Sequence, residues 1–124
     1  MPTYTLETCP KHHLEGTEFT TLATPSHGGA HVRVWQVEIQ PGTPAVPHSV
    51  TRTEVFVVQA GEASVRIHGE DSIARTGSVI VVPAGTPFQI QSQGDEPFRA
   101  IVCFPVDGQA VLPGKDPFTP PWGI

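Results

Sequence analysis

Glycine and proline punctuation decides what this chain can fold into. Twelve glycines and fourteen prolines fall among 124 residues, and they sit at regular intervals between apolar segments. Pro41-Gly42, Ala60-Gly61, Gly69-Glu70-Asp71, "AGTP" at 84–87 and "GDEP" at 94–97 each interrupt the chain. No segment of ten or more residues shows helical periodicity. The pieces instead read as strands: Thr17–Thr24, Ala30–Gln40, Val46–Val50, Glu54–Gln59, Glu62–Gly69, Ser78–Pro83, Phe88–Ser92 and Phe98–Phe104. About eight strands with turn signals every 8–12 residues predict an all-β sandwich or barrel. "EASVRIHG" alternates, with Ala63, Val65 and Ile67 on one face. Ser78–Pro83 is continuously apolar, as in a strand buried on both faces. The segment 113–124, "PGKDPFTPPWGI", carries too many prolines for a central strand. It predicts an extended tail whose Phe118 and Trp122 pack on the barrel or across a dimer interface.

The remaining bulk properties narrow the function classes. The length favours one domain over 1–124 with a single core. The formal net charge is -5, and the seven Lys and Arg are scattered. Nucleic-acid binding wants a clustered basic face, so no nucleic-acid partner is expected. No apolar run approaches the roughly 20 residues that span a bilayer. "MPTYTLETCPKHHLEG" lacks the basic-then-apolar pattern of a secretion signal. Cys9 and Cys103 have no metal-site spacing and do not make a disulfide framework. They are expected to be reduced thiols, and the protein cytoplasmic.

The chemistry-bearing residues lie in "PGTPAVPHSVTRTEVFVVQAG", 41–61. His48 and Val50 are two apart and so share a face, and Glu54 opens a row with Phe56 and Val58. A His and a carboxylate meeting inside a barrel form a metal-ligand pair or an acid–base pair. His31, Arg33 and Trp35 share a face on an earlier strand. They either line a cavity mouth or form a solvated strand end with Trp35 starting the core. His12, His13, His27 and His68 are expected at the surface.

The spacing of the whole region resembles the cupin superfamily. Gly42, five residues, His48, one residue, Val50, three residues, Glu54, six residues and Gly61 follow its first motif, about 42–61. Gly77, five residues, Pro83, one residue, Gly85, two residues, Phe88, three residues and Ser92 follow its second, about 77–92. The resemblance covers about Val32 to Pro105 and implies a cupin jelly-roll β-barrel, commonly a homodimer. Metal-binding cupins carry three His and one Glu. Here Val50 and Phe88 stand at two of the His positions, and Ser92 at a usual Asn. Only His48 and Glu54 remain, so no tightly bound metal and no other cofactor are expected. The alternative is a weakly held divalent transition metal.

Three functions compete on this reading. The first is a metal-independent isomerase, dehydratase or cyclase, with His48 as base oriented by Glu54. The second is a metal-dependent oxygenase with a reduced ligand set. The third is a binding or sensing module. The ligand would be a small, largely apolar molecule held by Val50, Phe56, Phe88, Trp35, Arg33 and His31. His48 and Glu54 are expected within hydrogen-bond reach, with an ionised Glu54 keeping His48 partly protonated near neutrality.

Overall fold

The structure is a computed structural model and describes residues 3–29 and 31–124. Its strands, in chain order, are β1 Lys11–Leu14, β2 Thr17–Ala23, β3 Val32–Ile39, β4 Ser49–Val50, β5 Glu54–Ala60 and β6 Glu62–Ile67. They continue as β7 Glu70–Ala74, β8 Val79–Val82, β9 Phe88–Gln93, β10 Phe98–Pro105 and β11 Ala110–Val111. Two short 3-10 turns, Leu6–Thr8 and Pro121–Gly123, complete the elements. No helix among the described residues is long and apolar enough to cross a membrane.

One sheet has six antiparallel strands in the order β1-β2-β3-β10-β5-β8. A three-stranded sheet, β7-β6-β9, faces it, and β4 pairs with β11 between them. The arrangement is an all-β jelly roll whose sheets do not close on one another. Alternation places the core. Trp35, Val102, Phe56 and Ile80 lie opposite one another across β3, β10, β5 and β8, and all four are buried. Ile67 pairs with Phe88, and Val65 with Ile90, on the facing sheet. The interior packs between these two apolar rows.

Gly61 shows why the punctuation is chemical and not decorative. Its φ is +76°, and a Cβ there would collide with the Pro97 carbonyl oxygen. Only glycine fits, and its amide donates to Glu96 Oε1 at 3.0 Å.

Several sequence expectations change. β8 is an edge strand, not one buried on both faces: Val79 and Val81 are 59% and 52% exposed. A continuous valine run there covers one inward and one outward row. Val46–Val50 shrinks to Ser49–Val50, because Pro44 and Pro47 have no amide hydrogen to give a ladder; the His48 backbone forms only an isolated bridge to Phe88. The third strand begins at Val32, and Ala30 lies outside the described residues. β1, β7 and β11 carry no sequence signal that marked them as strands.

Candidate functional site

Between the sheets is a cavity of about 270 Å³, open at one side. β5 presents Glu54 and Phe56 inward, β9 presents Phe88, and the 41–50 segment supplies His48 and Val50. Reciprocal backbone bonds fix His48 against Phe88: the His48 amide donates to the Phe88 carbonyl at 3.0 Å and the Phe88 amide to the His48 carbonyl at 2.8 Å. The Gly85 amide donates to the Val50 carbonyl at 2.8 Å. The two motifs are thereby tied together at the site.

Glu54 is 5% exposed and makes no side-chain hydrogen bond among the described residues. Burial alone pushes its carboxyl up to about 8. At neutral pH it is a carboxylic acid with a proton to give. His48 Nδ1 donates to the Val46 carbonyl at 2.8 Å. That bond leaves Nε2 as the free ring nitrogen, with its lone pair available. Burial holds the His48 pKa below its ordinary value, against the smaller upward pull of the Val46 carbonyl.

These facts correct the expected dyad. His48 does not hydrogen-bond Glu54, and it is not held protonated. The physical reason is mutual: a carboxyl this desolvated is neutral at pH 7, so it offers His48 no charge to raise its pKa. The two groups are instead a separate acid and a separate base lining one cavity.

Of the other residues expected at the site, Val50, Phe56, Phe88 and Trp35 line the cavity. Arg33 and His31 do not. Arg33 is buried and pairs in register with Phe104, which lines the cavity where Arg33 does not. Its Nη1 donates weakly to the Gly108 carbonyl at 3.4 Å. His31 is exposed at the start of the strand. The strand-face parity that grouped it with Trp35 does not reach beyond Val32, where pairing begins.

Four aromatic residues at the site were not marked as site residues by sequence: Phe19, Phe104, Phe118 and Trp122. Trp122 stacks on Phe19, with centroids 3.6 Å apart and planes 6° apart, and meets Trp35 edge-on at 6.4 Å. Thr21 Oγ1 donates to the Trp122 carbonyl and Thr24 Oγ1 to the Ile124 carbonyl, both at 2.8 Å. Phe118 pairs reciprocally with the Ala110 backbone at 2.9 Å. The proline-rich tail is thus a fixed wall of the cavity. Its apolar spacing was the signal available, but its placement depends on contacts a hundred residues away.

The donor set does not fit a resident metal ion. No group of three or more His, Cys, Asp or Glu able to hold one occurs among the described residues. Val50 and Phe88 line the cavity beside His48 and Glu54, and neither can coordinate.

A protein-family model for the cupin domain matches residues 35–104. The chain belongs to the cupin family. Similar solved structures include the polyketide cyclase RemF from Streptomyces resistomycificus, with a TM-score of 0.80 and 15% identity over 94% of this chain and 87% of that one. An RmlC-like cupin from Shewanella frigidimarina matches with a TM-score of 0.68 and 16% identity, over 80% of this cupin and 85% of that chain. Salicylate 1,2-dioxygenase from Pseudoaminobacter salicylatoxidans matches with a TM-score of 0.70 and 20% identity, over 86% of this cupin and 31% of the longer chain. At these identities the likeness is one of fold. No curated protein matches the sequence.

Proposed function

We propose that this cupin binds a small, neutral aromatic or fused-ring metabolite carrying a phenol or enolisable ketone, and moves protons on it without a metal. The observation that carries the reading is Glu54: a buried, unpartnered carboxylic acid in an apolar cavity that also holds the free Nε2 of His48. The cavity lining contains no Lys or Arg and only this one acid. An anionic ligand would lose its hydration with nothing to replace it, whereas a neutral ring would be well matched. A fold neighbour named a polyketide cyclase is consistent with this class, but the class rests on the cavity.

The chemistry follows from the two protonation states. His48 Nε2 takes a proton from the carbon next to a ketone while Glu54 gives its proton to the ketone oxygen. The C–H electron pair becomes the enol C=C bond, leaving an imidazolium and a carboxylate. Returning the proton at another carbon completes an isomerisation; loss of a β-hydroxyl as water completes a dehydration. Such paired proton transfer contributes roughly 10²–10⁴ in rate.

The reading is tested without knowing the natural substrate, by deuterium incorporation at the α-carbon of 1-tetralone in D2O. Wild type should accelerate exchange, and Glu54→Gln should remove most of that acceleration. The rate should fall above about pH 8, where Glu54 ionises, and also as pH falls through the lowered pKa of His48. Binding of 1-tetralone, seen by quenching of Trp35 and Trp122, with exchange at the solvent rate would favour a binding module without turnover.

A further inference from the structure

The cavity does not end in a polar rim. Leu14, Pro44, Val46 and Phe118 all line it, yet each is exposed, Leu14 and Val46 by 59% and 58%. A side chain that both lines a cavity and faces solvent stands at its opening. These four come from three segments: Leu14 from β1, Pro44 and Val46 from the stretch before β4, and Phe118 from the tail. Single exposed apolar side chains are ordinary, but several gathered round one opening mark a surface that something covers. The frame that carries them is fixed. The Gly16 carbonyl, in the turn between β1 and β2, accepts from the Gln40 amide at 2.8 Å and from Thr43 Oγ1 at 3.2 Å. An added Cβ at Gly16 would collide with the Thr43 side chain, so this turn and the stretch before β4 are packed together. Phe118 is held by its backbone pair with Ala110.

Size and continuity say what covers the rim. The interior is about 270 Å³, just under the range of pockets that enclose most of a ligand, about 300–1,000 Å³. Glu54, Val50 and Phe88 are buried and so mark its inner end. A molecule that fills the cavity from there and continues outward passes over the rim side chains. It meets no Lys, Arg, Asp or second Glu among the lining residues, so the portion lying there is apolar as well. We infer that the ligand is longer than the cavity: its oxygen-bearing ring lies between His48 and Glu54, and an apolar extension leaves through the mouth and lies on Leu14, Val46 and Phe118. This rests on the proposed function above. It narrows the ligand class to ring systems that carry an alkyl chain or further fused rings at the end away from the reacting oxygen.

The test compares 1-tetralone with 6-hexyl-1-tetralone, whose chain points away from the ketone. Dissociation constants are read from quenching of Trp35 and Trp122. Wild type should bind the hexyl compound about thirty- to hundredfold more tightly, about twofold per added carbon. That is roughly half the effect of full burial, because the rim covers one side of the chain. In Leu14→Ser with Val46→Ser the gain should fall by about fivefold or more. The gain is a ratio within one protein, so a change in 1-tetralone binding itself does not disturb it. Nuclear Overhauser contacts from the terminal methyl of the bound chain to the Leu14 and Val46 methyls should appear in wild type. They and the wild-type gain decide the matter even if the variant misfolds. A wild-type gain below about tenfold, absence of those contacts, or a gain that the two serines leave within about twofold overturns the inference and leaves the proposed function standing. A solution mass that halves with the serines, while the chain brings no gain in wild type, assigns the rim to a second copy and overturns it likewise. Failure of both ketones to bind wild type overturns the inference and the proposed function together.

Discussion

At the scale of single residues, the site is governed by desolvation. Glu54 is raised to about 8 in the folded protein, from about 4.3 in an unfolded chain. The folded state therefore holds a proton that the unfolded state releases, and stability falls as pH rises from about 4.3 to about 8. Glu54→Gln should abolish that loss. Its advantage over wild type should be near zero at pH 4 and reach on the order of 2–4 kcal/mol above pH 8, measured by urea denaturation across the pH range. An advantage independent of pH would mean that Glu54 is not buried as an acid. His48 has the opposite sign: its pKa is lowered, so it reduces stability as pH falls below about 6.5. Because the carboxyl is neutral at that pH, Glu54→Gln should leave the His48 pKa unchanged within about 0.3 units by NMR. The identities of both groups were legible in the motif spacing of 48–54. Their uncoupling was not, because spacing shows which face a residue occupies and not which carbonyl its ring nitrogen finds, here Val46.

At the scale of elements, the hydrophobic strands β3, β5, β6, β9 and β10 were legible because apolar alternation and β-branching coincide there. β1 "KHHL" and β7 "EDSIA" were not. Both occupy sheet edges, where solvent-facing polar side chains erase the alternation. The tail was legible as extended and apolar, but not as a cavity wall. Truncation after Gly114 removes Phe118, Pro120 and Trp122 together with the Thr21 and Thr24 bonds. It should cost about 3–5 kcal/mol, judged by large-to-small aromatic substitutions. A melting temperature within two degrees of wild type would refute the wall. The motif positions invite the converse experiment. His48, Val50, Glu54 and Phe88 line one cavity, so Val50→His with Phe88→His would place four donors there. Zinc should then bind stoichiometrically by calorimetry, and Val50→His alone, with three donors, should bind more weakly. No zinc uptake by a folded double variant would show that the four positions do not converge.

At the scale of the whole molecule, the six-stranded sheet has two unlike faces. One covers the cavity; the other places Val57, Val79 and Val81 in solvent, beside the half-buried Val55 and Ile101 and the exposed Cys103. Register sets them side by side: Val55 opposite Val81, Val57 opposite Val79 and Ile101, and Cys103 opposite Val55. None of these side chains is charged, in a chain whose formal net charge is -5. In a chain of net negative charge, an uncharged apolar face meets its own copy with no charge directly opposed, and such a face is complementary to itself under a two-fold axis. The free edge of β8 borders the same patch and would gain cover from the same contact. The expected state is a homodimer through this face. Light scattering at about 100 μM should give twice the chain mass for wild type, and Val79→Lys with Val81→Lys should give the single-chain mass with 1-tetralone binding intact, since neither side chain lines the cavity. A wild-type monomer at that concentration, or a dimer that tolerates both lysines, would remove this face as the interface.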